Sequence, residues 1–264
     1  MFKRIRVAIL LYVLLFVSVG GYLARSRSTD WNEPLWINAY ATPAMAGTSA
    51  DVQFAGPDEL AAIEAFLAAQ AVRYGVALDR PFRFNFAGPL SEPLPPLPTS
   101  SSVLAAIRWS LAMRWRAAML DWLGDEPTPD IVLFVTVHAG GDGVSIERSG
   151  ALRQGLIAVA HIFGDRAARG SNRVVIAHEL LHTLGATDKY DPRTNLPLHP
   201  VGYADPARIP LHPQVEAELM GGRIPIDRHE AKIPAGLDDV VIGPATAFEI
   251  GWLTELPPAA GHAD

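Results

Sequence analysis

The sequence predicts an α/β fold: a twisted mixed sheet packed by helices, an irregular C-terminal subdomain, and an N-terminal transmembrane helix ahead of both. Short strand-like runs alternate with longer stretches of helical spacing, in the order β-α-β-α-β-β-α. Beyond Asp188 the chain becomes proline-rich and loses its periodicity. At the other end, an apolar run behind basic residues stands apart from everything that follows.

Lys3, Arg4 and Arg6 precede that run, which extends from Val7 to Leu23 and is interrupted only by Ser18, Gly20 and Gly21. At about 1.5 Å per helical residue it nearly spans a hydrocarbon core of roughly 30 Å. Basic residues ahead of it favour an N-in orientation, and Arg25 and Arg27 behind it weaken the asymmetry. A cleaved signal peptide is the alternative, with Ser18-Val19-Gly20 as a small-residue cleavage site. Both readings export the remainder. The expectation is a membrane anchor or signal peptide over 1–27 and an extracytoplasmic domain over 28–264, periplasmic or extracellular, and secreted if cleaved.

Leu35 to Tyr40 reads as the first strand. Asp58 is the expected cap of a helix reaching Tyr74, with Leu60, Ile63, Phe66 and Leu67 on one face. Phe82, Phe84 and Phe86 alternate with Arg83 and Asn85, the period-two pattern of a strand. Pro89 to Pro98 forms a rigid loop. Ser100 to Ser102 then offer caps for a long helix ending near Gly124. Its stripe of Leu104, Ile107, Leu111, Trp115, Ala118 and Trp122 is expected to pack into the core.

Ile131 to Val137 is continuously apolar but for Thr136, as in a strand covered on both faces. Gly140-Gly141-Asp142-Gly143 makes a turn, and Gly155 to Ile162 is another strand. Ser171 or Asn172 is the expected start of the next helix, and Gly185 its end. A last short helix is expected from Pro244 to Trp252.

Composition narrows the chemistry. Of 264 residues 49% are hydrophobic and 19% charged, the balance of a folded protein, and the net charge of −6 argues against general nucleic-acid affinity. There are no cysteines, which excludes disulfides, zinc–thiolate clusters and thiol nucleophiles.

The chemistry concentrates in His178-Glu179-Leu180-Leu181-His182-Thr183-Leu184-Gly185-Ala186-Thr187-Asp188. His178 and His182 are four apart, so a helix stacks both imidazoles on one face, able to share one metal ion. Glu179 lies beside them, placed to take a proton from a metal-activated water. Leu180, Leu181 and Leu184 cover the opposite face and anchor the helix. Gly185 is able to adopt positive φ and bring Asp188 back as a third ligand. Three protein ligands and one open position make a catalytic zinc arrangement.

This segment resembles the extended HExxHxxGxxH/D motif of metzincin metallopeptidases, in the aspartate variant of snapalysin-type enzymes. The run through Asp188-Lys189-Tyr190-Asp191 is similar to immune inhibitor A type peptidases. The resemblance implies a metzincin-like catalytic domain, one catalytic Zn2+ held by His178, His182 and Asp188, Glu179 as base, and a peptide or protein substrate. Glu218-Leu219-Met220-Gly221-Gly222 looks like the family's methionine turn, with Met220 as a hydrophobic floor. The strand at Gly155–Ile162 would be the antiparallel edge strand on which extended peptides pair. Gly222 stands where some members carry a tyrosine, so no tyrosine from this turn assists, and neither Tyr190 nor Tyr203 is assigned that role.

Alternatives stay open at this level. Asp191 replaces Asp188 as third ligand if the turn is wider, and Glu216 or Glu218 does so in a gluzincin-type site. A catalytically inactive, metal-binding peptide-recognition module would share the same cleft. His138, His161, His199, His212 and His229 are weaker candidates around the site.

Overall fold

The computed structural model describes residues 29–45, 52–96, 98, 102–124, 127–139, 150–152 and 156–256, with Val7, Leu11, Ser26 and Arg27. Apart from Val7 and Leu11, the apolar run ending at Leu23 lies outside the described residues, as does the Gly140–Gly143 turn. Among the described residues no helix is long and apolar enough to cross a membrane.

The fold is mixed α/β, with four α-helices among the described residues. Strands β1 (Leu35–Pro43), β2 (Phe82–Pro89), β3 (Ile131–Ala139), β4 (Gly150–Leu152) and β5 (Ile157–Gly164) form one sheet in the order β2-β1-β3-β5-β4. All neighbours are parallel except β4 and β5, which run antiparallel. This corrects one expectation. The strand at Gly155–Ile162 is an interior strand, parallel to β3, and the antiparallel edge strand is the three-residue β4. A strand that short shows no period of its own, and the continuous apolar run of β5 is itself the mark of a strand covered on both faces.

Helix α1 (Pro57–Arg73) buries Leu60, Ile63, Leu67 and Ala71 at helical spacing against one face of the sheet. Its N-cap is Gly56 with Pro57 at the first helical position, rather than Asp58, which sits in the first turn and favours the helix dipole from there. Helix α3 (Arg169–Leu184) shares that face. It starts earlier than Ser171 because Asn172 is committed elsewhere. The Asn172 amide donates to the Phe163 carbonyl at 2.7 Å and accepts from the Phe163 N–H at 3.2 Å, closing the end of β5 onto the helix.

Helix α2 (Val103–Leu123) covers the other face and overturns the core stripe expected for it. Met113 and Ala117 face Tyr40, Phe134, Ile157 and Val159, with Trp109 and Leu120 at the margin. Leu104, Ile107, Leu111, Trp115, Ala118 and Trp122 face outward and are exposed. The helix carries two apolar faces, and small Ala117 lets one of them approach the large aromatic residues of the sheet.

The C-terminal region is irregular, as expected. It holds a parallel pair, β6 (Ala217–Glu218) with β9 (Val240–Val241), an antiparallel pair, β7 (Ile224–Pro225) with β8 (Ala231–Lys232), and helix α4 (Pro244–Glu249). Glu218 ties it together. Its fully buried carboxylate accepts from Gly221 N–H at 2.8 Å, Gly243 N–H at 3.0 Å and the Thr246 hydroxyl at 2.5 Å.

Candidate metal centre

The second half of α3 buries Ile176, Ala177, Leu180, Leu181 and Leu184 in the core, which turns His178 and His182 to the opposite side. Gly185 ends the helix at φ 110°, a conformation that disfavours side chains with a Cβ. The reversed chain brings the Ala186 carbonyl to within 2.8 Å of His182 Nδ1. His178 Nδ1 meets the Leu219 carbonyl at 2.9 Å.

A carbonyl only accepts, so both Nδ1 atoms carry a proton, which leaves Nε2 as the lone pair of each ring when neutral. The two Nε2 atoms lie 3.1 Å apart. Asp188 Oδ1 is 3.1 Å from one and 3.2 Å from the other. With both rings neutral, three acceptors converge on one point, an arrangement that a shared cation stabilises. A proton bridges two such atoms, whereas a metal ion serves all three. Zinc at tetrahedral bonds of about 2.0–2.1 Å separates its ligand atoms by roughly 3.3–3.4 Å, so the donor set fits it closely.

Glu179 stands beside this triangle. One carboxylate oxygen lies with a ligand atom of each histidine within 4.8 Å of one another. Its Oε2 is buried without a hydrogen-bond partner, a costly state unless it faces a water or a substrate. Burial raises the Glu179 carboxyl above its ordinary range, and His178 and His182 pull it partly back. At Asp188 burial acts upward too, but the His178 and His182 imidazoles beside it outweigh that and hold this carboxyl far below the usual range. At His182 burial acts downward, and the Asp188 carboxylate and Ala186 carbonyl outweigh it to raise the imidazole.

The chain on both sides of Asp188 is clamped. The Glu249 carboxylate accepts from Thr187 N–H at 3.0 Å, the Thr187 hydroxyl at 2.7 Å and Lys189 Nζ at 2.6 Å. Lys189 N–H donates to the Met220 carbonyl at 2.9 Å. Sequence reasoning missed Lys189 and Glu249 in this role, because their partners lie some 60 residues apart and no spacing rule links them.

Met220 is fully buried on a tight turn in which Gly221 and Gly222 N–H both donate to the Glu218 carbonyl, next to the Leu219 carbonyl that holds His178. Two of the other acidic candidates, Asp191 and Glu218, are engaged elsewhere. Asp191 accepts from Arg193 N–H and its guanidinium, and Glu218 is consumed as described. His199, Tyr203 and His212 form their own cluster, with the Tyr203 hydroxyl 3.1 Å from His212 Nε2. His229 is exposed. His138 and His161 pair at 2.9 Å on the α2 face of the sheet, and burial, with His138 alongside, pushes the His161 imidazole down to about 4. Tyr190 packs its ring 6.4 Å from that of His178.

No protein-family model matches the chain, and no curated protein does. Among solved structures it is similar to wild-type OgpA from Akkermansia muciniphila, at 12% identity and a TM-score of 0.43, covering 81% of this chain and 58% of that one. Catalytically inactive OgpA in complex with an O-glycopeptide substrate, glycodrosocin, gives 11% and 0.42 over the same shares. A chaperone–substrate complex gives 15% and 0.36, covering 83% of this chain and 33% of that one. The chain thus spans less than two thirds of the length of each of these three structures.

Proposed function

We propose that this chain is a zinc-dependent metalloendopeptidase of metzincin type, exported and either held at a membrane by its N-terminus or secreted. The observation that carries the reading is the convergence of His178 Nε2, His182 Nε2 and Asp188 Oδ1, with edges of 3.1–3.2 Å and both Nδ1 atoms committed to carbonyls.

These three residues would hold the ion, with Met220 as the apolar floor of the turn beneath His178. Bound zinc supplies a Lewis acid, which makes a water nucleophilic near neutral pH and polarises a scissile carbonyl. Glu179 takes the proton from the attacking water and returns it to the leaving amine. Its raised carboxyl suits both halves of that exchange, and its unpaired Oε2 suits a water held between it and the ligands. Lys189 and Glu249 keep Asp188 in place and touch no reacting atom. Edge strand β4 packs beside α3, so an extended peptide adding to that edge would run along the helix that carries the histidines.

The test is zinc content of the purified full chain, by plasma mass spectrometry, beside Asp188→Ala. About one zinc per chain, lost or strongly weakened in the variant, is the expected result. Absence of zinc from the metal-replete wild type would overturn the reading. Zinc that ignores the substitution would remove Asp188 as a ligand.

A further inference from the structure

Helix α2 has two apolar faces and, among the described residues, a partner for only one. The inner face meets the sheet through Met113 and Ala117. On the outer face Leu104 is 77% exposed, Leu111 61%, Trp115 70% and Trp122 78%, with Ile107 and Ala118 in the same line. At 3.6 residues per turn these six positions form one stripe along a helix about 30 Å long. A second apolar face of this length, left in water, marks an interaction surface.

Charge identifies the occupant. The helix carries Arg108, Arg114 and Arg116 against one acidic residue, Asp121, in a chain whose net charge is −6. Arg108 and Arg114 are exposed beside the stripe, while Arg116 reaches back to the Glu92 carbonyl. Tryptophans in an apolar stripe flanked by arginines form the pattern of a helix lying in a lipid interface.

The path of the chain agrees. Residues 7–23 are the apolar run, and four residues later Arg27 is pinned to Asp130, Nε to Oδ1 at 2.8 Å. Asp130 follows the last residue of α2, Leu123, by seven positions, so Arg27 is fixed to the short connection between α2 and β3. We propose that the outer face of α2 is a membrane-contacting surface. It lies in the interface of an anionic phospholipid bilayer and holds the folded domain flat against it. This contact is independent of the zinc reading and lies on the opposite face of the sheet from α3.

The absence of cysteine makes the test clean. The full chain carrying Leu111→Cys is labelled with an environment-sensitive fluorophore and reconstituted in vesicles of phosphatidylcholine and phosphatidylglycerol. Brominated lipids then report contact with the acyl region. Ile209→Cys, on a loop and 95% exposed, is the control. The expected result is a blue-shifted label at 111, quenched several-fold more strongly than at 209. Arg108→Glu with Arg114→Glu should weaken that quenching, while the unfolding midpoint stays unchanged. Equal and weak quenching at 111 and 209 would overturn the proposal. So would shielding at 111 without lipid quenching: dependence on protein concentration would identify a second copy, and independence the chain's own N-terminal segment.

Discussion

Helices α2 and α3 flank the same sheet, and their sequences invert each other. In α3 the leucines point inward and the outward positions carry His178 and His182; in α2 the largest apolar stripe points outward. Periodicity reveals which residues share a face. Which of two apolar faces is buried depends on the surface it must fit, and for α2 the aromatic-rich sheet selected the face with Ala117.

The largest effect expected from this contrast is chemical. Glu179→Ala should lower peptide turnover about 10²–10⁴-fold or more while zinc content is retained. The paired variant Leu111→Ala, on the outer stripe of α2, should leave turnover of a soluble peptide unchanged. Full activity in Glu179→Ala would break the proposed mechanism.

Stability comes next. Leu180 and Leu111 are the same residue type on the two helices, one fully buried and one largely exposed. Leu180→Ala should cost about 2–5 kcal/mol and Leu111→Ala within about 0.5, measured by denaturant unfolding. Comparable losses would mean that the α2 stripe is covered in solution.

The helix ends give a smaller effect. Gly185 sits at φ 110°, whereas Gly124 after α2 sits at φ −85°, which any residue adopts. Gly185→Ala should cost about 1–2 kcal/mol and weaken zinc binding by moving Asp188, while Gly124→Ala should be neutral. Calorimetry and metal titration on the two variants separate these outcomes.

The smallest effect is in acid. Glu59 on α1 binds Arg169 and Arg173 of α3, while Glu92, which meets Arg116 of α2, is largely exposed. Burial acts to raise the Glu59 carboxyl, but the hydrogen bonds from Arg173 and Arg169 outweigh it and set it below its ordinary 4.5. A depressed folded value stabilises above the unfolded one and is lost as pH falls through the folded one. Stability at neutral pH should therefore drop in Glu59→Gln more than in Glu92→Gln, and the difference from wild type should close in acid below about 4.5.

Much of this molecule was legible in its residues. The elements at Leu35, Phe82, Ile131 and Pro244 begin where the pattern puts them, because alternation, continuous apolar runs and helix-starting prolines are local signals. Gly185 takes positive φ where a turn toward Asp188 required it. The choice among Asp188, Asp191, Glu216 and Glu218 was not legible, since each lies at a workable distance along the chain. Space commits two of them elsewhere: Asp191 closes its own turn with Arg193, and Glu218 is bonded inside the core.

The sequence by itself determined that two histidines and a glutamate share one helix end, because a 3.6-residue period is a property of the backbone. It also determined that no thiol chemistry is available and that an apolar run precedes the domain. Only the tertiary structure decided which strand lies at the sheet edge, which face of α2 is buried, and that Lys189, Glu249 and two carbonyls hold Asp188 and the two histidines in position. Those depend on contacts between residues far apart in the chain, where packing and hydrogen-bond satisfaction, rather than local pattern, select the arrangement.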